Sequence, residues 1–119
     1  MPLGRGDIVL VPVPDTSGQP GKPRPALVVS SDHNNYRLQD AILAVITSST
    51  KRAGLEPTQL LIDLATPEGK QSGLLTDSAV KCERLHAILQ SLIMRSIGSL
   101  PAATMLKVND CLRVALQLP

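Results

Sequence analysis

Aromatic side chains are almost missing from this sequence of 119 residues, which contains no Trp, no Phe and a single Tyr, Tyr36. The hydrophobic core must therefore consist of aliphatic side chains. Recognition of nucleobases by stacking on aromatic rings is almost excluded as well, because proteins that bind single strands in this way use successive aromatic side chains as platforms.

Cysteine is scarce, and long apolar runs are absent. Cys82 and Cys111 stand 29 residues apart, with no CxxC motif and no His pair at the spacing of metal ligands. We interpret them as two reduced thiols, Cys82 on a strand and Cys111 on a helix, and we expect no metal ion or other cofactor. The N-terminus shows no signal peptide, and no apolar run is long enough for a transmembrane helix. These features predict a cytoplasmic protein without a membrane partner.

Net charge is low, at +2, with 18% charged and 43% hydrophobic residues. This composition is typical of a soluble globular chain, and the length predicts a single domain, residues 1–119. A mildly basic chain permits an RNA or DNA partner without requiring one, because nucleic-acid-binding domains usually cluster their basic residues. The nearest approach to such clusters is Lys22 with Arg24, and Lys51 with Arg52.

The segment 24–31 is the stretch around which the rest of the chain is organised. Its apolar run, 27–29, is rich in β-branched residues and is typical of a buried strand. Pro25 favours extended backbone at Arg24, so the guanidinium is held at the start of a strand, beside a loop at 14–23 that is rich in Gly and Pro. A guanidinium in this position suits an anion such as phosphate. Pairing with a surface carboxylate is the alternative interpretation.

Hydrophobic patterning predicts a mostly β chain with five or six short strands. The near-continuous apolar run at 40–48 indicates a central strand covered on both faces. Polar segments predict turns at 31–35 and 68–73 and a helical turn at 36–39, and the segment 84–89 is open between a strand and a turn. The predicted strands are 7–13, 24–31, 40–48, 58–64, 79–82 and 93–97.

Beyond Pro101 the apolar spacing changes to that of an α-helix. On this helix Asn109 and Asp110 would lie on the solvent face. Strands followed by one C-terminal helix predict a small β-barrel or a strongly curved sheet. The apolar positions of the helix are Met105, Val108, Leu112, Ala115 and Leu116.

Several segments follow one another in a specific order along the chain. The first half has Gly-Asp-Ile-Val-Leu-Val-Pro at 6–12, Arg-Pro-Ala-Leu-Val-Val at 24–29 and Ala-Val-Ile-Thr-Ser at 44–48. The second half has Ser-Gly-Leu-Leu at 72–75, Asp-Ser-Ala-Val-Lys-Cys at 77–82 and Ile-Gly-Ser-Leu at 97–100. Together these segments resemble the MazF/PemK/Kid toxins of bacterial toxin–antitoxin pairs, and the resemblance covers almost the whole chain.

The resemblance implies an SH3-like β-barrel, a homodimer and a metal-independent endoribonuclease that cuts single-stranded RNA, often mRNA. In such an enzyme the 2′-hydroxyl attacks the adjacent phosphate and leaves a 2′,3′-cyclic phosphate and a 5′-hydroxyl. It also implies a cognate antitoxin protein that blocks the site by laying a segment across it.

Carried onto this sequence, the resemblance makes Arg24 the catalytic arginine and Thr47 the threonine at the end of the third strand. Without the resemblance, Thr47 is simply a β-prone residue at a strand end. Lys81 and Glu83 stand where the Kid branch has an Arg and an Asp in acid–base roles, and Gln19 stands near the position of its first-loop His. The residues expected to bind RNA are Gln19, Lys22, Ser48, Lys51 and Arg52.

Two other functions remain open. CcdB, a relative by fold, poisons DNA gyrase without cutting, but such a poison has no need of Arg24 and Thr47. A degenerate toxin that binds only RNA or its antitoxin is the second alternative, because the loop His and the aromatic residues are missing. The apolar run around 89–94 and the C-terminal helix could form a dimer interface, or all of this surface could be core.

Overall fold

The predicted apolar runs form an antiparallel sheet in the computed structural model of the chain, which describes residues 3–13 and 21–119. The described residues form six strands, three α-helices and one short 3₁₀ helix. The strands are β1 (Asp7–Pro12), β2 (Pro23–Val28), β3 (Asp40–Thr47), β4 (Gln59–Ile62), β5 (Ser78–Leu89) and β6 (Arg95–Ser99). The α-helices are α1 (Asp32–Arg37), α2 (Pro67–Gln71) and α3 (Ala102–Leu116), and the 3₁₀ helix is Gln90–Leu92.

The sheet curls into a half-barrel. Its strands are hydrogen-bonded in the order β4-β5-β3-β2-β1-β6, and all neighbours are antiparallel. The register shifts between Ile8 and Val9, where β1 meets β6, and between Ala44 and Val45, where β3 meets β5. Such bulges bend a strand and increase its twist, which favours curling. The predicted fold, a curved and mostly β structure with a C-terminal helix, is confirmed.

Both faces of the central strands are buried. One face and α3 enclose a first core cluster that includes Ile8, Ala44 and Ile62. The opposite face holds a second cluster that includes Val9 and Leu43. Because neighbouring residues of a strand point to opposite faces, burial of both faces requires apolar residues at successive positions. This explains the near-continuous apolar run of β3 and confirms the prediction that it is covered on both sides.

Helix α3 covers one face of the sheet, as its apolar spacing predicts. Met105 and Val108 are buried in the first core cluster, and Leu112 and Ala115 pack at its edge. Leu116, which is also predicted on the apolar face, is 51% exposed. None of the described helices is both long enough and apolar enough to cross a membrane.

One arginine ties α3 to the sheet. Arg5 Nη2 donates a 2.6 Å hydrogen bond to Oδ1 of Asn109, and Arg5 Nε donates to the carbonyl of Val29 at 2.9 Å. The prediction that Asn109 lies on the solvent face is therefore wrong, because its amide oxygen is the acceptor that joins the helix to the start of β1. Asp110 is exposed and pairs with Arg113, as a solvent-facing residue would.

A first short helix occupies a predicted turn. α1 begins after Ser31, whose hydroxyl accepts a 3.1 Å hydrogen bond from the backbone N–H of Asn34. The predicted helical turn at 36–39 starts too late, since the cap at Ser31 nucleates the helix at once. Inside the fold, Asn35 is buried and its amide donates to the carbonyl of Ser30.

A second short helix replaces the turn predicted at 68–73. α2 begins after Thr66, whose hydroxyl accepts a 3.1 Å hydrogen bond from the N–H of Gly69, and Pro67 occupies its first turn. Hydroxyl cap and proline are ordinary start signals for a helix. The apolar pattern of the sequence does not predict this helix, because five residues are too few to show a helical period.

The strand bounds differ from the predictions mostly by a few residues. β5 is the exception, because it continues through 84–89, the segment open between strand and turn, and pairs there with β3. β2 ends at Val28, since the N–H groups of Val29 and Ser30 both donate to the carbonyl of Ile42 as the chain leaves the sheet. Most of the predicted loop at 14–23 lies outside the described residues.

Cys82 and Cys111 meet in the first core cluster, between β5 and α3, and both thiols are free. Burial, together with the neighbouring Cys111 and Glu83, raises the pKa of Cys82 to about 12. Burial also raises the pKa of Cys111. Because the thiolate is the nucleophilic form, both side chains are unreactive near neutral pH. Their predicted placement on a strand and a helix is confirmed.

The chain passes close to β6 between α2 and β5. Gly73 lies there with φ of 73°, a conformation that L side chains rarely adopt. A Cβ at this position would overlap the carbonyl oxygen of Ile97. Glycine therefore allows the segment 73–76 to run directly against β6.

We predict that Gly73→Ala destabilises the protein by about 1–3 kcal/mol, because it adds backbone strain and an overlap with Ile97. Gly54→Ala is the matched control, since a Cβ there meets nothing within 4 Å, and its effect should stay within about 0.5 kcal/mol. Urea unfolding of both variants measures the free energies. A Gly73→Ala variant as stable as the parent would contradict this account of the close approach.

Candidate functional site

A cleft of about 410 Å³ opens where the ends of β2 and β3 face β6. Arg24 and Thr47 both line this cleft, together with Ser48. It is called the larger cleft below, because a smaller one adjoins it. The segment 73–76, Ile97 and Arg95 complete its far wall. The structure thus brings together the two residues that the resemblance places at the scissile phosphate.

Arg24 is held at the second position of β2, opposite Val11 of β1. Its side chain is exposed toward the cleft. Within residues 3–13 and 21–119, the one ion pair joins Arg113 to Asp110 at 2.7 Å. The alternative interpretation of Arg24, a pair with a surface carboxylate, therefore finds no partner in the described part of the chain.

Thr47 ends β3, where its hydroxyl already has one partner. Its Oγ1 accepts a 3.1 Å hydrogen bond from the backbone N–H of Ser49. A hydroxyl has one hydrogen to donate and two acceptor lone pairs. Because Ser49 occupies an acceptor position, the hydroxyl hydrogen of Thr47 is available to an anion in the cleft.

A smaller cleft of about 200 Å³ adjoins the larger one and shares Thr47 with it. Lys81 lines it from β5, where it lies opposite Val45 of β3 and Gln59 of β4. Lys51 and Arg52 line it from the turn after β3. Three of the predicted cations thus meet beside Thr47.

Glu83 lines neither cleft. Its carboxylate accepts a 3.0 Å hydrogen bond from Oγ1 of Thr58 and a 2.8 Å hydrogen bond from Nε2 of Gln59. Partial burial raises the pKa of Glu83, but the backbone hydrogen bond, those from Gln59 and Thr58, and the charge of Lys81 outweigh it and lower the pKa. Glu83 is therefore ionised at neutral pH and holds Gln59, which does line the smaller cleft.

The two clefts concentrate positive charge that the composition does not reveal. Their described lining residues include five cations and no carboxylate, although the whole chain carries a net charge of only +2. Clefts lined by one sign of charge concentrate counter-ions and speed their association. An RNA backbone is the kind of polyanion that such clefts attract. The five cations are Arg24, Lys51, Arg52, Lys81 and Arg95.

Not every predicted residue joins this arrangement. Gln19 lies outside the described residues. Lys22 is exposed at the start of β2 and lines neither cleft. Among the described residues, no group of three or more His, Cys, Asp or Glu side chains is placed to hold a metal ion.

Sequence reasoning missed several polar residues of the clefts, among them Arg95 and Gln59. Arg95 reaches the larger cleft because β6 pairs with β1, and Gln59 reaches the smaller one because β4 pairs with β5. No local signal in the sequence marks either pairing. Gln59 is buried, at 8% exposure, although the sequence of β4 shows no alternation that would place it inward.

We predict that Glu83 titrates below 4.5, the usual value for this carboxyl, and that Gln59→Leu shifts its pKa upward by removing a hydrogen bond to the ionised form. NMR titration of the Glu83 carboxyl measures both values. Because the pKa is lowered in the folded state, the stability that Glu83 contributes is complete above 4.5 and is lost as the pH falls through the folded pKa.

Gln71→Leu is the matched control for this titration. It makes the same chemical change at an exposed glutamine that donates to Ser99 and not to Glu83, so the Glu83 midpoint should stay at the parent value. A parent midpoint at or above 4.5 would contradict the lowered pKa of Glu83. An equal shift in both variants would rule out the hydrogen bond from Gln59 as its cause.

Comparison with known proteins gives relatives along nearly the whole chain. A family model described as PemK-like, MazF-like toxin of type II toxin-antitoxin system matches residues 4–116. Endoribonuclease MazF6 of Mycobacterium tuberculosis is 34% identical over 88% of each chain. Endoribonuclease EndoA of Bacillus subtilis is 31% identical over 99% of this chain and 97% of its own.

Solved structures agree at the level of the fold. A mycobacterial endoribonuclease in complex with its cognate antitoxin superposes with a TM-score of 0.77 at 21% identity, covering 98% of this chain and 97% of its own. A MazE-MazF structure from Deinococcus radiodurans gives a TM-score of 0.74 at 20% identity over all of both chains. The sheet order, the C-terminal helix and the family match lead to one conclusion: the chain belongs to the family of PemK-like, MazF-like toxins of type II toxin–antitoxin systems.

Proposed function

We propose that this chain is the toxin of a toxin–antitoxin pair and acts as an endoribonuclease on single-stranded RNA, mRNA included. The observation that carries the proposal is the larger cleft, where Arg24 and Thr47 face the same space without a described carboxylate beside them. The relatives MazF6 and EndoA, both named endoribonucleases, support it. The proposal takes residues 1–119 as a single toxin domain in the cytoplasm.

The reaction is a transfer within the RNA chain. The 2′-oxygen forms a bond to phosphorus while the bond from phosphorus to the 5′-oxygen breaks, which leaves a 2′,3′-cyclic phosphate and a 5′-hydroxyl. The 2′-hydroxyl loses one proton and the 5′-oxygen gains one, so no oxidant, reductant or co-reactant is consumed. The resemblance makes the reaction metal-independent.

Arg24 and Thr47 stabilise charge on the phosphate. As the 2′-oxygen attacks, negative charge grows on the non-bridging oxygens, and a guanidinium placed there in advance stabilises it without reorganisation. Pro25 and the pairing with β1 hold the backbone of Arg24 in place. Thr47 donates its hydroxyl hydrogen to the same phosphate, and Ser48, exposed next to it, is a second donor.

The smaller cleft supports the reaction from one side. Lys81 lies beside Thr47 and is the cation placed to assist proton transfer, while Lys51 and Arg52 bind the neighbouring backbone phosphates. Glu83 acts through Gln59 and is a positioning residue, since it touches neither cleft. In this arrangement Glu83 is not a catalytic acid. Its carboxylate instead holds Gln59 in the wall of the smaller cleft.

The antitoxin and a second copy of the chain are the proposed protein partners. Structures titled MazE-MazF and an endoribonuclease in complex with its cognate antitoxin support the first. The apolar run around β5 and β6 supports the second, because Leu89, Leu92 and Met94 are 47%, 51% and 60% exposed. Exposed apolar patches of this kind mark interaction surfaces.

We expect a dimer in sedimentation equilibrium at micromolar concentration, and a monomer there would count against this interface.

A gyrase poison of the CcdB type is not favoured. The curated relatives reported above are named endoribonucleases, and the Arg24–Thr47 cleft has no purpose in a protein that cuts nothing. The missing aromatic residues do not remove the cleft, because its apolar lining residues are aliphatic.

We predict that the purified protein cuts a long single-stranded RNA in EDTA and that Arg24→Ala lowers the rate by about 10²–10³-fold, the usual cost of losing one preorganised donor to a developing oxyanion. Thr47→Val should lower it by a smaller factor. End mapping should give 5′-hydroxyl termini. Single-turnover kinetics measure the rates.

Arg37→Ala is the matched control, because Arg37 is an exposed arginine of α1 that lines neither cleft. It should cut at the parent rate. No cutting by a folded parent would sink the nuclease proposal in favour of a toxin that only binds, and a fully active Arg24→Ala would remove Arg24 from the site.

A further inference from the structure

The larger cleft has a second arginine at its far end. We propose that Arg95 binds the phosphate next to the scissile one, so that the cleft holds one nucleoside between two successive phosphates of the RNA. This inference rests on the proposed function, because it assumes that the scissile phosphate lies at Arg24.

The pairing of three strands sets the distance between the two arginines. Arg95 of β6 lies opposite Leu10 of β1, and Leu10 lies opposite Pro25 of β2. Neighbouring strands are about 4.8 Å apart, so the backbones at Pro25 and Arg95 are separated by about 10 Å. Arg24 directly precedes Pro25. Both arginines line the cleft, and they come from strands that are two places apart in the sheet.

Much of the cleft lining besides the two arginines is apolar. Leu10 and Ile97 lie on the sheet side, and Leu74 and Leu75 form the wall that Gly73 brings against β6. Leu75 is 97% exposed, although large apolar side chains are usually covered. The cleft thus presents a cation, an aliphatic surface and a second cation in sequence.

A nucleoside flanked by two phosphates has the complementary pattern. Each phosphate finds a guanidinium, and the sugar and the face of the base cover the leucine and isoleucine side chains. The volume of about 410 Å³ lies within the range of about 300–1,000 Å³ typical of small-ligand pockets. An aliphatic wall buries any base about equally well, since the contact is non-directional. In a chain with one Tyr and no Trp or Phe, this wall takes the place of an aromatic platform.

Arg95 could instead read the edge of a base, since arginine also forms bidentate hydrogen bonds with guanine. The position of Arg95 favours the phosphate. It lies opposite Leu10 at one end of the apolar surface and is exposed, which suits contact with the solvated phosphate that flanks the nucleoside. The two roles differ in their dependence on salt, which makes them separable.

The test is the binding of a fully 2′-O-methylated single-stranded RNA, which cannot be cut because its nucleophile is blocked. Arg95→Gln should weaken binding by about tenfold, as expected for the loss of one charge-assisted hydrogen bond. It should also reduce the slope of log K against log salt by about 0.7, the value for one phosphate of a single strand. Arg95→Lys should keep the parent slope, because it keeps the charge.

Two further variants separate the apolar wall from general charge effects. Leu75→Ser should weaken binding with no change in salt slope, because it removes only apolar contact. Arg37→Gln, an equal loss of charge outside the clefts, should leave both affinity and slope near the parent values.

The outcomes are distinct. Parent-like affinity and slope in Arg95→Gln, with RNA cut by the parent, would overturn this inference alone. A changed sequence preference with an unchanged slope, and no rescue by Arg95→Lys, would also overturn it and assign Arg95 to a base. A folded parent that neither binds nor cuts RNA would overturn the proposed function, and this inference with it.

Discussion

The pairing of β3 with β2 on one side and β5 on the other is the constraint on which the whole site depends. Val45 lies opposite Ala26 and also opposite Lys81. Thr47 lies two residues after Val45, and Arg24 lies two residues before Ala26. A slip of the register by one residue would turn every side chain to the opposite face, so Thr47 and Lys81 would leave their cleft together. Burial of both faces of β3 makes such a slip costly, because each face fills a core cluster.

The bulge in this pairing gives Glu83 its separate role. Ala44 lies opposite Leu85, but the next residue, Val45, lies opposite Lys81. The residues between 81 and 85 therefore leave the β3 ladder, and Cys82 donates its N–H to the carbonyl of Thr58 instead. Bulges re-aim side chains beside functional sites. This one directs Glu83 toward β4 and away from the cleft, where its ionised carboxylate fixes Gln59 in the cleft wall.

The sequence predicts those parts of the fold and of the site that neighbouring residues mark, and it does not predict those that depend on distant strand pairings. Pro25 next to Arg24 and the apolar run of β3 are local, so the strand start and the doubly covered strand were predictable. Arg95 lies 85 residues from its neighbour Leu10, and its register depends on a bulge in β6, at Ile97, that leaves no mark in the composition. Helix α2 was lost for another reason, because its start signals are local but its five residues are too short to show a period. The positions of Arg24 and Thr47 agree with the resemblance, while their roles stay predictions.

The close approach of Gly73 to Ile97 joins the stability of the fold to the shape of the cleft. Gly73 belongs to the segment that carries Leu74 and Leu75, and Ile97 belongs to the strand that carries Arg95. The aliphatic wall and the second arginine are therefore held together by backbone contact rather than by their own side chains. Truncating either side chain leaves that contact intact, so its effect on RNA reports on binding. A change at Gly73 moves both walls at once, and its effect on RNA cannot be separated from its effect on folding.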